Sequence, residues 1–367
     1  MFARLTQFNK KVAVLLIVLL SVVCFSACYK ITPTTKPNTH AVVDSIGRTV
    51  DVPDNPQSIC AVSTFGGHIV AMLGFSEKMT STCNNVTRST LLKTMCPSVN
   101  NAISVKKSGS LNAEAVLKRN TDLIFIDKEM YDDADQRAKL DNIKIPYVVL
   151  HFTDLQGQID VVRVIGKALR AEAVAEKYAT YYNGVIDYVK NGVQKIENRK
   201  VYKVYHSINE ALRSDFKGSL GACWIDVTGA DNVALREAGS LSEGKAFFNI
   251  EKIIEWDPDI IICNEYGVPD SIKNDKGWSE ISAVKNDKVY QIPVGATRYG
   301  HDNGFETPLA ILWLANVLYP DTFNYYFEDK VREFYKEFFD FTVSDEIMEQ
   351  IMEGNIRQPK AGGGNKK

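Results

Sequence analysis

The chain has 367 residues, of which 45% are hydrophobic and 24% charged, an ordinary globular composition that is large enough for two domains. Lys and Arg total 43 and Asp and Glu total 45, so the formal net charge is −2, and no overall charge favours binding to nucleic acid or anionic lipid. The seven cysteines are scattered and include no CxxC pair, which excludes a zinc ribbon and a thioredoxin-type redox centre.

An export signal is predicted at the N-terminus. Three basic residues among the first eleven precede an apolar run at residues 12–23, which is too short to span a bilayer comfortably and matches the hydrophobic region of a signal peptide. The run leads into Phe25-Ser26-Ala27-Cys28. Small residues immediately before a cysteine resemble the lipobox of bacterial lipoproteins. The resemblance implies that residues 1–28 are a signal peptide and that Cys28 carries a lipid anchor at the extracytoplasmic face of the membrane.

Two alternatives to this anchor stay open. The lipobox usually has Leu where this chain has Phe25, and Cys24 is a second candidate for lipidation. An uncleaved membrane helix over the apolar run is the other alternative. Residues 29–40 are rich in Thr and Pro with little apolar bulk, which predicts an extended tether. The folded part is therefore expected to begin near Ala41.

A repeated segment predicts two similar α/β sandwich lobes. The chain reads LNAEAVLKRNTDLIFI from Leu111 and FNIEKIIEWDPDIIIC from Phe248. In each copy an Asn that can cap a helix precedes a short amphipathic segment, a turn and a β-branched run, which is typical of a helix leading into a buried parallel strand. Further strand candidates lie at residues 58–62, 147–150, 201–205 and 289–292. The residues at matching offsets are Asn112, Glu114 and Asp122 in the first copy and Asn249, Glu251 and Asp259 in the second.

A helical stretch at residues 155–198 is predicted between the lobes. From Ala171 onward, apolar residues recur at steps of three and four and form one stripe. At a rise of roughly 1.5 Å per residue this second part would be about 39 Å long, which suggests lobes held at a nearly fixed angle. The predicted domains are an N-terminal lobe at 41–154, the connecting helices at 155–198, a C-terminal lobe at 199–345 and a tail at 346–367. The stripe consists of Val174, Tyr178, Tyr182, Val185, Val189, Val193 and Ile196.

Five segments carry a resemblance to a known family. They are DSIGRTVDVPDNPQSICAV from Asp44, the two repeated segments, VIGKALRAEAVAEKY from Val164 and AVKNDKVYQIP from Ala283. Together they resemble the substrate-binding lipoproteins of ABC importers for iron chelates, heme and cobalamin, which are the class III, helical-backbone periplasmic binding proteins. The resemblance implies a monomeric binding protein, not an enzyme, that holds its ligand in a cleft between two lobes joined by one long helix.

The same resemblance implies a contact with the permease of the importer. One surface carboxylate in each lobe, Glu114 and Glu251, would dock on Arg residues of the permease. The approximate symmetry of the two lobes would then match the two-fold symmetry of the permease. The simpler alternative is that each Glu only supports the first turn of its helix through the helix dipole.

Several other functional centres lack their key residues. Residues 239–246 read GSLSEGKA, close to a phosphate-binding P-loop, but Ala246 replaces the hydroxyl that would bind magnesium. No GxSxG or HExxH motif occurs, so the common hydrolase and zinc-protease centres are absent from the sequence. Cys83 and Cys96 could form a disulfide in an exported protein. Cys60 and Cys263 lie in strand patterns and are expected to be buried thiols.

The candidate ligand residues follow the predicted strands, because ligands of open α/β sheets bind outside the carboxyl ends of strands. These loops are rich in His, Tyr and Arg. Phenolate and carboxylate oxygens suit ferric iron, imidazole suits iron or cobalt, and Arg binds anionic chelate oxygens. The expected ligand contacts are His68 and Tyr131 in the first lobe and His206, Arg213, Tyr266, Arg298, Tyr299 and His301 in the second.

Each candidate has a structural alternative. His68 and His206 could be packed residues at a helix start and a strand end. The loop that contains Arg298, Tyr299 and His301 is different, because glycines flank its polar and aromatic residues, and we expect it to be an adaptable binding loop rather than core. The next acidic residue, Glu306, is expected to start the following helix.

The expected function is delivery of a metal chelate, most simply a ferric siderophore, to an ABC permease. The bound Fe(III) would arrive with the ligand, no intrinsic cofactor is expected, and no side chain is assigned as a certain metal ligand. Heme or a corrinoid is the alternative within the same family, ranked second because the predicted cleft is polar. A metal chelatase and a binder of a bare metal ion are further alternatives, and the latter would need three or four protein ligands converging on one point.

Overall fold

The computed structural model of the chain describes residues 38–107, 109–242 and 245–356. From Thr39 onward these residues belong to one compact unit. The predicted signal peptide, the lipidation candidates Cys28 and Cys24, and most of the predicted tether lie outside the described residues. The last part of the predicted tail, from residue 357, also lies outside them.

The described chain begins with an antiparallel hairpin of two strands, β1 (Thr39–Val43) and β2 (Thr49–Pro53). The turn between them is held by the buried Asp44, whose carboxylate accepts from Arg48 Nε at 2.9 Å. The same carboxylate accepts from the backbone N–H of Val149 at 3.2 Å. This second bond ties the hairpin to the edge of the first large sheet.

The first lobe contains a five-stranded sheet in which all neighbouring strands are parallel. Its strands are β3 (Ile59–Ala61), β4 (Met79–Thr82), β5 (Ile103–Ser104), β8 (Leu123–Asp127) and β9 (Tyr147–Leu150), with a separate hairpin of β6 (Lys106–Lys107) and β7 (Ser110–Leu111). The order across the large sheet is β5-β4-β3-β8-β9. The helices of this lobe are α1 (Thr64–Val70), α2 (Asn84–Arg88), α3 (Thr90–Met95), α4 (Ala113–Lys118), α5 (Lys128–Asp132) and α6 (Ala134–Ile143).

Two helices, α7 (Leu155–Ala168) and α8 (Glu172–Gln194), connect the lobes, as predicted. The 23 residues of α8 correspond to a length of about 35 Å. Tyr178 and Tyr182 and the three valines that follow them in the predicted stripe are buried, but Val174 is 39% exposed and Ala175 is buried in its place. Gly166 of α7 allows this packing, because a Cβ there would lie 2.4 Å from the Cβ of Ala175.

The second lobe contains a four-stranded parallel sheet and a smaller antiparallel sheet. Its strands are β10 (Lys203–Ser207), β11 (Arg213–Ser214), β12 (Asp231–Asn232), β13 (Ser240–Ser242), β14 (Lys245–Phe247), β15 (Ile260–Cys263) and β16 (Val289–Gln291). The parallel sheet has the order β12-β10-β15-β16, and the antiparallel sheet has the order β11-β14-β13. The helices are α9 (Leu220–Val227), α10 (Ile250–Trp256), α11 (Val268–Asn274) and α12 (Ser282–Lys285). Two α/β lobes on a long helix confirm the predicted fold class.

The described part of the chain, up to residue 356, ends with three more helices, α13 (Thr307–Leu318), α14 (Phe327–Phe339) and α15 (Asp345–Met352). The prediction of a tail from residue 346 is wrong for the described part, because α15 buries Met348 and Ile351. The carbonyl of Ile351 also accepts from the backbone N–H of Val294 at 3.0 Å. The sequence pattern alone did not show that this helix packs against the second lobe.

The two repeated segments are structurally equivalent. Asn112 caps α4 and Asn249 caps α10, each through its side-chain oxygen. Asp122 accepts from the backbone N–H of Ser58 at 3.2 Å, and Asp259 accepts from the backbone N–H of Lys203 at 2.8 Å. Each aspartate therefore fastens the start of its strand to the neighbouring central strand, which explains why both copies need a carboxylate at this offset.

The five cysteines in the described part of the chain are free thiols. The possible disulfide between Cys83 and Cys96 is therefore not formed. Cys83 is buried at the start of α2, and its Sγ lies 3.3 Å from Thr64 Oγ1. Cys60 and Cys263 are buried strand residues, as expected.

Candidate functional site

Each parallel sheet has a point at which the order of its strands reverses. In the first lobe the chain runs from β3 to β4 and β5, and then returns to place β8 on the other side of β3. In the second lobe it runs from β10 to β12 and returns to place β15 on the other side of β10. The crevice outside the carboxyl ends of strands at such a reversal is the usual ligand site of open α/β sheets. We call these two places the first and the second switch point.

At the first switch point, His68 is part of the packing rather than an open side chain. It is 2% exposed, its Nδ1 donates to the carbonyl of Thr64 at 2.8 Å, and its ring stacks on Phe305 with centroids 5.6 Å apart. Burial lowers the pKa of His68 to about 4, so the ring is neutral near pH 7. Its Nε2 is buried and meets no hydrogen-bond partner among the described residues.

The other predicted residue of the first lobe, Tyr131, lies at the end of β8 in α5. The guanidinium of Arg48 lies 4.7 Å from the centre of its ring, and the guanidinium of Arg137 lies 5.3 Å from it. Both contacts are within the range of cation–π attraction. The aromatic face of Tyr131 is therefore occupied by the protein itself.

At the second switch point, His206 belongs to a buried polar network. Its Nδ1 lies 2.9 Å from Asp215 Oδ2, and both side chains are at most 2% exposed. Asp215 also accepts from Asn232 Nδ2 at 2.9 Å and from Ser219 Oγ at 3.3 Å. The Nε2 of His206 is buried, and no described residue forms a hydrogen bond with it.

Arg298 reaches the second switch point from a distant loop. Its Nη2 forms an ion pair with Glu265, the second residue after β15, and its Nη1 donates to Asn209 Oδ1 at 3.2 Å. Asn209 in turn donates its backbone N–H to Asn264 Oδ1 at 2.8 Å. Three loops thus converge around one guanidinium. Asn264 is 1% exposed, and its Nδ2 has no hydrogen-bond partner in the described part of the chain.

The remaining candidates of the second lobe differ in exposure. The side chain of Arg213 is 12% exposed, with Nη1 3.9 Å from Glu210 Oε1 and its guanidinium 5.3 Å from the centre of the Phe247 ring. Tyr266 is 63% exposed. His301 is partly buried, and its Nδ1 accepts from the backbone N–H of Asn303 at 3.3 Å.

Tyr299 is placed differently from the expectation of an adaptable loop. It is 0% exposed and packs with the core, and the loop around it is held by hydrogen bonds from the first lobe, from the connecting helix α7 and from the second lobe. Ser89 donates to the carbonyl of Ala296 at 2.8 Å, and Gln158 donates to the carbonyl of Gly304 at 3.0 Å. From the second lobe, Trp224 Nε1 donates to the carbonyl of Gly300 at 3.0 Å. In this conformation Tyr299 presents no surface to a ligand.

The same loop is held from within by Glu306. This residue is the N-cap of α13, as expected from sequence, but its side chain does not cap the helix. The buried carboxyl instead accepts from the backbone N–H groups of Ala296 at 2.8 Å and Thr297 at 2.7 Å and from the hydroxyls of Thr297 and Tyr335. Burial raises the pKa of Glu306 to about 7, although these hydrogen bonds oppose the shift.

Four residues of this region were not predicted as functional. Trp224 and Gln158 position the loop, and Asn209 and Asn264 position Arg298. A signal for the asparagines exists in the sequence, because the central strands β10 and β15 are followed by Ile208-Asn209-Glu210 and Asn264-Glu265 respectively. An Asn-Glu pair at both strand ends is a pattern that the positions of His, Tyr and Arg alone do not reveal.

The expected docking residues lie on equivalent surfaces of the two lobes. Glu114 is in the first turn of α4, with a side chain that is 77% exposed and 2.7 Å from Lys118 Nζ. Glu251 is in the first turn of α10 and is exposed. Both carboxylates are therefore accessible.

A cavity of about 230 Å³ lies at the outer edge of the second parallel sheet. Its walls come from α9 and β12 and include Asp226, Asp231 and Arg236, and none of the predicted ligand residues lines it. In the ranges 38–107, 109–242 and 245–356, no group of three or more His, Cys, Asp or Glu side chains is placed to hold a metal ion. Of the helices described, none combines the length and the apolarity that crossing a membrane requires.

Comparison with known proteins identifies the family. Residues 59–294, more than half of the chain, match the periplasmic binding protein family. The chain belongs to this family. It is a substrate-binding protein of ABC transporters, a periplasmic or extracytoplasmic class of protein, and its relatives are transport proteins rather than enzymes.

Two curated relatives and one solved structure illustrate the likeness. The molybdate-binding protein MolA of Haemophilus influenzae is 23% identical over 335 residues, covering 81% of this chain and 90% of MolA. The ABC transporter substrate-binding lipoprotein YvrC of Bacillus subtilis, itself uncharacterized, is 24% identical and covers 76% of this chain and 85% of YvrC. A periplasmic solute binding protein from Veillonella parvula is 27% identical with a TM-score of 0.75, covering 87% of this chain and 98% of that protein.

Proposed function

We propose that the protein captures an anionic metal chelate, a ferric siderophore, and delivers it to the permease of an ABC importer. The observation that carries the proposal is the guanidinium of Arg298 at the second switch point, where the ligands of open α/β sheets bind. Arg pairs with carboxylate, catecholate or hydroxamate oxygens through charge-assisted hydrogen bonds. The unpaired Nδ2 of Asn264 is a further donor in the same cluster.

The chemistry of this cluster favours a chelate over a bare ion. Guanidinium and amide N–H groups donate hydrogen bonds and do not coordinate a metal. They suit the outer oxygens of a metal that is already enclosed by its chelator. The Fe(III) would therefore be part of the substrate, and the protein would bind the organic shell around it.

A second candidate ligand is a small oxyanion. The relative MolA is described as a molybdate-binding protein, and the donors around Arg298 would also suit the oxygens of a tetrahedral anion. Heme or a corrinoid remains the alternative with an apolar macrocycle. The buried, stacked ring of His68 would have to leave Phe305 to reach such a ligand, which makes this alternative less favoured.

The experiment that tests the proposal is a binding panel with the mature protein. Titration with a ferric tricatecholate, a ferric trihydroxamate, molybdate, hemin and cobalamin, followed by native mass spectrometry and absorption spectra, compares the ligand classes directly. We expect tight binding of one ferric chelate. Preferential binding of molybdate would support the oxyanion candidate, and preferential binding of hemin or cobalamin would overturn the proposed ligand class.

We also propose a lipid anchor and a permease contact. Cys28 would carry the lipid, in keeping with the description of YvrC as a lipoprotein, and Cys28→Ala should release the protein or leave its precursor unprocessed. Lipid labelling of that variant at the same site would contradict the assignment, and Cys24 would be the next candidate.

Glu114 and Glu251 would dock on basic residues of the permease, one from each lobe. Because both carboxylates are exposed at the starts of equivalent helices, reversing them should not disturb the ligand site. The double variant Glu114→Arg with Glu251→Arg should keep ligand affinity and melting temperature close to wild type and lose uptake in membranes that carry the cognate permease. Normal uptake would reduce both residues to a role in starting their helices.

A further inference from the structure

We propose that Glu265 determines the charge specificity of the ligand site by competing with the ligand for Arg298. This inference rests on the proposed function, because it concerns the same site. In the structure the Nη2 of Arg298 is already paired with the carboxylate of Glu265. A ligand oxygen can take that nitrogen only by displacing Glu265, so the protein carries its own competitor for anions.

The position of Arg298 does not depend on Glu265 alone. Its other terminal nitrogen, Nη1, donates to Asn209 Oδ1 at 3.2 Å. Asn209 adopts a left-handed backbone conformation with φ of 65°, and its backbone N–H is held by the buried Asn264 at 2.8 Å. The guanidinium would therefore stay in place when Glu265 moves away, and the vacated Nη2 would face the incoming oxygen.

The exposure of the pair indicates that displacing Glu265 from Arg298 has a small free-energy cost. The side chains of Arg298 and Glu265 are 34% and 38% exposed. Ion pairs this accessible change an equilibrium by at most about fivefold, because water and salt screen them. A ligand with a single weak anionic group would gain little from the exchange. A chelate that presents paired anionic oxygens can form two charge-assisted bonds and would replace Glu265 effectively.

A nearby acidic residue of the same lobe, Glu210, supplies a matched control. Glu210 lies one residue after Asn209, and its Oε1 is 3.9 Å from Nη1 of the second candidate arginine, Arg213. Its side chain is 59% exposed. Glu210→Gln therefore removes the same charge from the adjacent loop without removing the partner of Arg298. Any effect that comes only from the net charge of the region would appear in both variants.

The test compares Glu265→Gln, Glu210→Gln, Arg298→Gln and the double variant of residues 265 and 298. Two probes of similar size and different charge are used, a ferric tricatecholate that carries three negative charges and a ferric trihydroxamate that is neutral, with affinities from fluorescence titration. Glu265→Gln should bind the tricatecholate about fivefold more tightly and the neutral chelate within about twofold of wild type. Glu210→Gln should stay within about twofold for both, and in the Arg298→Gln background the effect of Glu265→Gln should vanish.

The outcomes separate the two ideas. Equal shifts for both chelates, no shift, or weaker binding of the tricatecholate by Glu265→Gln would overturn the role of Glu265 while leaving the proposed function intact. Failure of wild type and all variants to bind either chelate would overturn the proposed ligand class and the inference with it. Melting temperatures of the four variants exclude misfolding as the cause of any loss.

Discussion

The two switch points have the same topology and different chemistry. At the first, the imidazole of His68 is neutral and stacked on Phe305, and Asp127 at the end of β8 lies 3.8 Å from Lys106. At the second, Arg298 contacts a cluster of two asparagines and one glutamate, and the side chains of Arg298 and the glutamate are about one third exposed. Both edges thus contain buried polar groups, His68 at the first and the His206–Asp215 network at the second, but the second edge also brings a partly exposed arginine into contact with two strand-end loops.

This difference indicates how two lobes of similar structure have different roles. The parts of the repeat that make the sheet, the capping Asn and the strand-anchoring Asp, perform the same role in both copies. The residues just beyond the strands differ, since Lys128 stands at the offset where the second copy has Glu265. Four variants test this comparison, from the largest expected effect to the smallest.

The buried network at the second switch point should be the most sensitive to change. Asp215→Ala removes the acceptor of His206, Asn232 and Ser219 and leaves buried polar groups unpaired. We expect a loss of about 3–5 kcal/mol in the free energy of unfolding, because three buried polar groups lose their acceptor at about 1–3 kcal/mol each. Urea denaturation measures it, with the exposed Asp226→Ala as a control that should change stability by less than about 0.5 kcal/mol. A loss under about 1 kcal/mol would show that the network is solvated.

Glu306 should make the protein less stable as pH rises. Its pKa is raised from 4.5 to about 7 in the fold, so the folded state holds this proton more tightly than the unfolded state does. Its contribution is complete below pH 4.5 and is lost as pH rises through 7, by about 3 kcal/mol. Glu306→Gln should remove this decline from the pH profile of urea denaturation midpoints. An unchanged profile would show that the hydrogen bonds to the carboxylate outweigh its burial.

His68 at the first switch point should have the opposite effect on the pH dependence of stability, making the protein less stable as pH falls. Its pKa is lowered from 6.5 to about 4, so the unfolded state binds the proton more tightly. Its contribution is complete above pH 6.5 and is lost as pH falls towards 4, by about 3 kcal/mol. Between pH 4.5 and 6.5 the two groups should nearly cancel in wild type. His68→Leu should then show stability falling with rising pH, and Glu306→Gln should show stability rising with it. Parallel slopes in the two variants would contradict the assignment.

The smallest expected effect concerns ligand affinity, which should depend on an arginine of the second lobe and not on one of the first. Arg298→Gln should weaken an anionic ferric chelate by about 1.5–3 kcal/mol, the scale of a hydrogen bond to a charged group. Arg137→Gln in the first lobe should leave affinity unchanged, because that guanidinium packs against Tyr131. Isothermal titration measures both. Equal weakening in the two variants would mean that both edges contact the ligand.

Sequence reasoning predicted what depends on local patterns. The caps of α4 and α10 follow from an Asn just before an amphipathic segment, and the buried face of α8 follows from apolar residues three and four apart. The predicted stripe was wrong at Val174, because α8 buries the neighbouring Ala175 instead. The residues from 346 onward were also predicted to form a tail. In the structure α15 packs onto the fold, and the carbonyl of Ile351 accepts a hydrogen bond from Val294. The local pattern of α15 did not indicate this contact.

The site was predicted less completely than the fold. The strand-end rule pointed to the loop of Arg298, but His206 is the fourth residue of β10 rather than a loop residue. The rule also did not predict that Tyr299, next to Arg298 in the chain, is buried. The missed residues, Asn209 and Asn264, are short amides with no distinctive chemistry of their own. Their importance comes from the two central strands that bring them together, and those strands are separated by more than fifty residues in the chain.

By itself the sequence determined the family, the two α/β lobes and the connecting helix, because helix caps, apolar periodicity and strand anchors act over a few residues and recur in both copies. Only the tertiary structure decided which polar and charged side chains meet. The pairing of Arg298 with Glu265 and of His206 with Asp215 depends on how loops from different strands pack at one sheet edge. Such pairing depends on burial and on the few hydrogen-bond partners within reach, and the local sequence specifies neither of them.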